Sequence, residues 1–249
     1  TYSGTGSSQS ITFDGSENMQ PDWIWIKSRS NAHGHNVADS VRGISNGGTK
    51  ILVPDSSQLE ETNASGQGIQ TADSDGFTLG SETNTSGSTN GSGKTYVSWN
   101  WKAGTSFSND ASATSVGTID SSGSTNQTAG FSIITYTGNG TGGATIGHGL
   151  GVEPAMILFK RTDSSNNWIV YHKQLGTGHY LTINSDGSSD SASGAWCTPS
   201  STLIQLNQVF GATNTNGATY IAYCFAEKQG YSKFGSYTGN SSCLLYTSD

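Results

Sequence analysis

The sequence has few charged residues and no long apolar run, and each shortage excludes a class of protein. Charged side chains make up 12% of the 249 residues, and the formal net charge is −7. The basic residues form no cluster along the sequence. Binding of nucleic acid through neutralised phosphates is therefore not expected. No stretch approaches the roughly 18 apolar residues of a membrane-spanning helix, so we predict no membrane insertion.

Cysteine is scarce as well. The three cysteines, Cys197, Cys224 and Cys243, cannot all pair within one chain, and they form no Cys-x-x-Cys motif. They therefore do not indicate a redox compartment, and pairing of Cys197 with Cys224 stays open.

A helical repeat is also missing, because no window of about 11 residues shows a sustained apolar period of 3.6. The chain instead holds 34 glycines and only four prolines, and its apolar content of 32% includes many aromatic side chains. This composition favours turns and short strands. It predicts an all-β protein with a thin core of large side chains, as in a β-sandwich.

One stretch occurs twice. Residues 21–27 and 154–160 each consist of a proline, five mostly large apolar residues and a lysine. Such a run is too short for a typical helix and has no polar alternation, so it predicts a strand buried on both faces. The proline stands at the start of the strand, where its missing N–H does not interrupt the ladder.

Alignment of these two strands also aligns their flanking sequences, which predicts two homologous, jelly-roll-like β-sandwich modules in tandem. The modules cover residues 1–104 and 129–230, and the Ser/Thr/Gly-rich residues 105–128 are predicted to be an ordered linker. Residues 231–249 repeat the beginning of a module and then break off, so we expect the parent protein to continue.

The last strand of each predicted module shows how its faces differ. Residues 96–102 alternate between an apolar and a polar face, and residues 220–226 keep the apolar face but replace the polar one with Ala222, Cys224 and Ala226. That face is expected to be more buried in the second module. The predicted shared core is Trp23, Ile24, Trp25, Ile26, Val97, Trp99, Trp101, Met156, Ile157, Leu158, Phe159, Ile221, Tyr223 and Phe225.

Several motifs resemble loops that bind phosphate or metal but lack the necessary context. The glycines at 138, 140 and 143 are followed by turns, not by the helix that a dinucleotide needs, and residues 88–95 place a serine where a P-loop needs glycine. The Asp-Gly turns at residues 73–76 and 184–187 carry oxygen ligands without the completing glutamate, so calcium stays an open alternative to an ordinary turn. Residues 33–35 place two histidines in a polar loop, where exposed side chains are expected. We predict no cofactor and no metal site.

Aromatic residues beside polar loops form the candidate ligand site. Trp168, Tyr171, Tyr180 and Trp196 all fall in the second module, where they could stack on sugars or fill a core poor in Leu and Val. His148 joins them as a candidate, although its place between two glycines favours a bond to nearby backbone over a role as a general base. No Gly-x-Ser-x-Gly elbow occurs and acidic residues are sparse, so we predict no catalytic residues and no enzyme.

The motifs together resemble a known family. They are similar to repeated modules in large uncharacterised virion structural or tail-fibre-like proteins of marine and freshwater tailed phages, and the resemblance rests on residues 41–43, 73–81, 96–104, 129–133, 136–140, 148–151, 220–225 and 230–234. It covers nearly the whole chain and implies a non-enzymatic structural subunit of a virion appendage or extracellular fibre, with a spacer or adhesin role. It offers no catalytic residues.

The expected partner is another copy of the chain. A fibre suits a homo-oligomer such as a trimer, whereas related surfaces on successive modules favour a head-to-tail polymer. A host-surface glycan is a further expected partner, and a carbohydrate-binding module is the alternative function.

Overall fold

The computed structural model describes residues 1–82 and 88–239, and in that part of the chain it contains twenty β-strands, one short α-helix and one 3-10 turn. The prediction of an all-β fold is confirmed. Among the described residues, no helix is long and apolar enough to cross a membrane.

Nine strands lie in the first half of the chain, which we define as residues 1–104. They are β1 (Tyr2–Ser3), β2 (Gln9–Ile11), β3 (Trp23–Ser28), β4 (Asn36–Asp39), β5 (Lys50–Ile51), β6 (Glu61–Thr62), β7 (Ile69–Asp73), β8 (Gly76–Leu79) and β9 (Thr95–Trp101). A four-stranded sheet has the order β1-β9-β3-β4, a three-stranded sheet has the order β2-β8-β7, and β5 pairs with β6.

The second half, residues 105–239, holds the other elements. They are β10 (Thr105–Asn109), α1 (Ala111–Thr114), β11 (Ser121–Asn126), β12 (Phe131–Thr137), β13 (Ala144–Gly147), β14 (Met156–Arg161), β15 (Ile169–His172), the 3-10 turn Lys173–Leu175, β16 (His179–Thr182), β17 (Asp190–Ser191), β18 (Cys197–Pro199), β19 (Leu203–Leu206) and β20 (Thr219–Phe225). An eight-stranded sheet has the order β10-β11-β12-β20-β14-β15-β16-β17, and a three-stranded sheet has the order β13-β19-β18.

The two halves use the same strand order. The series β1-β9-β3-β4 in the first half corresponds to β12-β20-β14-β15 in the second, and β2-β8-β7 corresponds to β13-β19-β18. Strands β3 and β14 each begin two residues after a proline, Pro21 and Pro154 respectively, and each lies inside its sheet. Common descent of the halves by duplication, and a jelly-roll topology within each, stay predictions.

Alternation along the strands divides the apolar side chains among three cores. In β20, Tyr220, Ala222 and Cys224 face the three-stranded sheet of their own half, whereas Ile221, Tyr223 and Phe225 face the first half. The predicted burial of Ala222, Cys224 and Ala226 is confirmed. In β3, Ile24 and Ile26 face the sheet formed by β2, β7 and β8, whereas Trp23 faces the second half. Each half is thus a β-sandwich, and the two larger sheets pack against each other.

The contact between the larger sheets is a core of its own, which we call the middle core. Trp23 is 2% exposed, and its ring centroid lies 5.8 Å from that of Phe131, 5.2 Å from Tyr223 and 5.7 Å from Phe225. Aromatic contacts at such distances stabilise beyond the area that they bury. Packed side chains therefore join the described halves, in addition to the backbone that connects them.

Hydrogen bonds to backbone carbonyl oxygens also join the halves. Buried Lys160 donates from Nζ to the carbonyl oxygen of Ser57 over 3.1 Å, and the indole N–H of Trp168 donates to the carbonyl oxygen of Val53 over 3.1 Å. The backbone N–H of Asn166 donates to the same Ser57 oxygen over 2.7 Å. A loop of the first half is thereby held against β14 and β15.

Residues 105–128, predicted to be a linker, contain two strands of the large sheet. Strand β10 pairs with β11 over five positions, and β11 pairs with β12 over six. Ile119 is buried in the core of the second half and Phe107 packs against it. Asp110 caps α1 by accepting hydrogen bonds from the backbone N–H groups of Ser112 and Ala113. Serine and threonine suit β10 because most of its side chains are exposed to solvent.

The prediction for the faces of β9 needs correction. Tyr96, on the face expected to be polar, is fully buried against the first half's small sheet, whereas Trp99 is 43% exposed. Trp101 packs against the middle core and is only partly buried. The period of two is present, but the second half covers only part of the apolar face. Of the predicted third repeat, residues 231–239 carry no named strand, and residues 240–249 lie outside the described part.

Candidate functional site

The incomplete cover of β9 leaves a cleft between the two large sheets, which we call the aromatic cleft. Antiparallel pairing of β3 with β9 places Trp23 opposite Trp101 and Trp25 opposite Trp99. All four tryptophans line a cavity of about 620 Å³. Cross-strand neighbours on one face lie close together, so the pairing of β3 with β9 brings the four tryptophans together in one wall of the cleft.

The tryptophan rings meet at steep angles. The centroids of Trp23 and Trp25 are 5.5 Å apart with an interplanar angle of 77°, and those of Trp25 and Trp99 are 6.1 Å apart at 71°. Edge-to-face contacts of this kind hold the rings in fixed orientations. The exposed part of Trp99 therefore belongs to a fixed wall.

The opposite wall is aliphatic. Leu158 and Val170 are buried and Met156 is partly buried, whereas Leu181 and Ile183 are 37% and 36% exposed. Tyr231, which is 62% exposed, and Phe234 lie at the mouth. An apolar cavity with a few polar groups is the usual form of a binding site for a small molecule or a peptide segment.

Polar groups in the cleft are few and specific. The Trp25 indole N–H donates to Nδ1 of His35 over 2.7 Å, which leaves the proton of the neutral imidazole on Nε2. Burial lowers the pKa of His35, and nearby Asp55 opposes that effect. The indole N–H of Trp23 is buried and has no acceptor among the described residues. Nε2 of His35 can donate to a ligand oxygen, whereas the Trp23 N–H is buried, and neither group is paired with a nucleophile.

The site residues predicted from the sequence lie elsewhere. Trp168 is 1% exposed in the middle core, and Trp196 is fully buried, with its indole N–H donating to the carbonyl oxygen of His179 over 2.9 Å. Tyr171 is also buried, and this burial raises its pKa to about 12. Of the two alternatives that the sequence left open, stacking on sugars or filling the core, these three rings take the second. In a thin β core they supply the volume that Leu and Val do not.

Tyr180 and His148 complete the predicted set. The partly buried Tyr180 meets the ring of Trp196 edge-on, with centroids 5.8 Å apart. His148 is fully buried; its Nδ1 accepts from the backbone N–H of Leu150 over 3.3 Å, and its Nε2 donates to the carbonyl oxygen of Ser200 over 3.1 Å. Trp168 and Trp196 belong to different cores, so the predicted residues form no single surface.

Sequence reasoning missed Trp25 and Trp99 as site residues because it placed both in the core. No signal in the sequence identifies them, because an apolar alternation has the same form whether another sheet covers the face fully or only in part. Among residues 1–82 and 88–239, no group of three or more His, Cys, Asp or Glu side chains is arranged to hold a metal ion.

The comparisons with known proteins give a family but no activity. No curated protein and no solved structure matches the chain. A family model described as a domain of unknown function, DUF7483, matches residues 1–246 and thus spans both halves. The chain belongs to the DUF7483 family.

Proposed function

We propose that the protein is a non-enzymatic structural subunit of a phage virion appendage or extracellular fibre, where it acts as a spacer and adhesin. The observation that carries the proposal is the middle core. The two sandwiches pack back to back through Trp23, Phe131, Tyr223 and Phe225. They can therefore act as one rigid body that transmits force along a fibre. Buried aromatic packing between sheets resists bending because interiors are close-packed.

Two further features support a spacer. Six strands of the large sheet, β11, β12, β20, β14, β15 and β16, are paired on both sides, so few of their backbone groups are free to exchange. The polar segment at residues 105–128 is held in the same sheet instead of forming a hinge. The virion location rests on the resemblance of the sequence motifs to tail-fibre-like modules.

Immunogold electron microscopy tests this function. An antibody raised against the folded chain is applied to purified virus particles, and serum pre-absorbed with the chain serves as the control. Label on a tail or fibre supports the proposal. Label found only on free soluble protein, with particles unlabelled, contradicts it.

A carbohydrate-binding module is the second candidate, and the exposed ring of Trp99 beside Trp25 favours it. A sugar ring can stack on an exposed indole, and Nε2 of His35 can donate to a hydroxyl group. The mostly apolar lining of the cleft limits the number of such bonds, which is why this function ranks second.

A glycan array with the Trp99→Ala variant tests this candidate. Binding by the wild-type chain that is lost in Trp99→Ala supports a site in the aromatic cleft. The matched control is Tyr237→Ala, because Tyr237 is 73% exposed and does not line the cleft. No binding to any glycan, or binding that Trp99→Ala leaves unchanged, removes this candidate.

A further inference from the structure

Strands β4 and β15 hold the same place in the larger sheets of the two halves, and their registers agree. In the first half Val37 lies opposite Trp25, and in the second half Val170 lies opposite Leu158. The residues that precede these valines can therefore be compared position by position.

His35 and Trp168 stand two positions before these valines, and their backbones are held in the same way. The N–H of His35 donates to Oδ1 of Asp55 over 2.8 Å, and the N–H of Trp168 donates to Oδ1 of Asn184 over 2.9 Å. His35 is thus the counterpart of Trp168. The turn around Asp55 is likewise the counterpart of the turn around Asn184.

The place beside Trp168 is filled by a peptide segment of the other half. The indole N–H of Trp168 donates to the carbonyl oxygen of Val53 over 3.1 Å, and Nζ of Lys160 donates to the carbonyl oxygen of Ser57 over 3.1 Å. Pro54, the residue after Val53, is buried. The second half therefore holds a proline-containing turn by its backbone carbonyl oxygens.

The corresponding place beside His35 is open and belongs to the aromatic cleft. His35 and Trp25 line one side of it, and Ile183 and Ser185 of the second half line the other. Within the described part of the chain, no hydrogen bond joins residues 181–189 to the first half. The turn of the second half therefore lies across the cleft without bonding to the opposite wall.

The donor that a peptide carbonyl needs is present at this place. Nδ1 of His35 accepts from the Trp25 indole, so Nε2 carries the proton, and among the described residues Nε2 has no acceptor. Lys27, the lysine at the end of the repeated apolar run, donates only to carbonyl oxygens of its own half, those of Ser28 and Asn31. The second half thus uses neither donor.

We propose that the aromatic cleft binds a proline-containing peptide segment of a partner protein. A backbone carbonyl oxygen of the segment accepts from Nε2 of His35, as the Val53 oxygen accepts from Trp168. The proline and its apolar neighbour lie between Trp99 on one wall and Ile183 on the other. Grooves lined by aromatic side chains are a recurring form of site for proline-rich segments.

Proline suits the chemistry of this cleft. It has no backbone N–H, so its burial against an apolar wall leaves no donor unpaired, whereas its carbonyl oxygen can still accept. Its fixed φ also reduces the entropy that the segment loses when it is ordered. A sugar carries several hydroxyl groups, each of which needs a partner when buried, and the mostly apolar lining supplies few. A peptide therefore fits the cleft better than a sugar does.

A peptide partner goes beyond the proposed structural function, because a spacer needs none. The purified chain suffices for the test, so the result does not depend on where the protein is found. A glycan would use the same cleft, and the two ligands are therefore tested side by side.

A synthetic peptide array is the first test. Each nonapeptide carries an apolar residue followed by proline at its centre, and a matched copy carries alanine in place of the proline. The wild-type chain should bind a subset of the proline peptides, and the alanine copies of that subset should bind roughly threefold more weakly or worse. No bound peptide, or equal binding of the alanine copies, overturns the proposal.

Variants on both walls locate the bound peptide. In calorimetric titrations with the tightest peptide, Trp99→Ala should weaken binding about tenfold or more and Ile183→Ser about fivefold. Both side chains are partly exposed in the cleft, so both variants should stay folded. The control Tyr237→Ala, at an exposed ring outside the cleft, should bind as the wild type does. Binding that neither wall variant weakens overturns the proposal, as does glycan binding lost in Trp99→Ala when no peptide binds.

Two substitutions of His35 test the carbonyl bond. In His35→Asn, the amide oxygen can replace Nδ1 as the acceptor for the Trp25 indole, but no donor reaches the position of Nε2. In His35→Gln, the amide N–H lies near that position. His35→Asn should therefore weaken binding about fivefold, and His35→Gln should weaken it less. Binding that His35→Asn leaves at wild-type strength shows that this bond does not form, and it overturns the proposal.

Discussion

The Tyr223 hydroxyl donates a hydrogen bond to Oδ2 of Asp39 over 2.7 Å, and both side chains are fully buried. Asp39 ends β4 in the first half, whereas Tyr223 lies in β20 of the second. Arg42 completes the group, with its Nε 2.6 Å from the same carboxylate oxygen. Burial raises the pKa of Tyr223 well above its ordinary value, so the phenol keeps the proton that it donates.

The first prediction removes that hydrogen bond. Tyr223→Phe should lower the free energy of unfolding by about 1.5–3 kcal/mol, because the acceptor is a buried carboxylate. Urea denaturation followed by tryptophan fluorescence measures the change, and Tyr237→Phe, at an exposed tyrosine, is the control. A Tyr223→Phe chain as stable as the wild type would show that this bond does not hold the halves together.

The second prediction separates the middle core from the cleft wall. Trp23→Ala should cost about 3–5 kcal/mol, because it removes a buried ring that contacts Phe131, Tyr223 and Phe225. Trp99→Ala should cost about 1 kcal/mol or less, since its ring is 43% exposed. Thermal unfolding of both variants at low protein concentration checks this, and equal losses would contradict the layered arrangement.

The third prediction concerns pH and His148. Burial lowers the pKa of His148 from 6.5 to about 4, although its bond to Ser200 opposes the shift. A depressed pKa means that the folded chain resists protonation, so the stabilisation is present above pH 6.5 and is lost as the pH falls toward 4. Protonation would also place a hydrogen on Nδ1, which already accepts from the Leu150 N–H.

The measurement compares the pH dependence of unfolding in wild type and His148→Gln. The wild type should lose about 3 kcal/mol more than the variant across this window. Carboxylates titrate in both proteins, so the difference between the two curves isolates His148. Parallel curves would contradict the prediction.

The fourth prediction concerns the two described thiols. Cys197 and Cys224 are buried and unpaired, and burial raises the pKa of Cys224 to about 12 and that of Cys197 well above its ordinary value. In a Cys243→Ser chain, neither should react with a thiol reagent such as DTNB until urea unfolds the protein, because the thiolate is the reactive form. Rapid reaction of the native chain would show that the core around them opens.

Strand identity could largely be predicted from the sequence, whereas exposure could not. The apolar run at residues 154–160 has the composition of a doubly buried strand, and β14 is one. The same composition at residues 21–27 predicts burial of Trp25, yet that ring is only partly buried and lines the cleft. The difference lies in packing, because Leu158 at the matching position of β14 is buried in the middle core, whereas Trp25 only packs against the edge of that core.

For the candidate site, too, the sequence does not indicate which aromatic side chains are buried and which are exposed. Trp168 and Trp196 stand beside polar loops in the sequence, which left exposure and core filling as alternatives, and both rings are buried and donate to backbone carbonyl oxygens. A polar neighbour along the chain does not determine what lies across the sheet. Trp99 has polar neighbours too, and it is partly exposed because its ring lines the aromatic cleft between the two large sheets.

The all-β class, the two apolar strands at residues 21–27 and 154–160 and the period-two alternation could be read from the sequence alone, because they depend on local composition and spacing. The sequence also showed the likeness between residues 21–27 and 154–160 before any contact was known. Which faces meet is settled only in three dimensions. The packing of Trp23 on Phe131 and Tyr223, and the partial exposure of Trp99, depend on how far one sheet extends over another, and that distance is set by contacts between residues far apart in the chain.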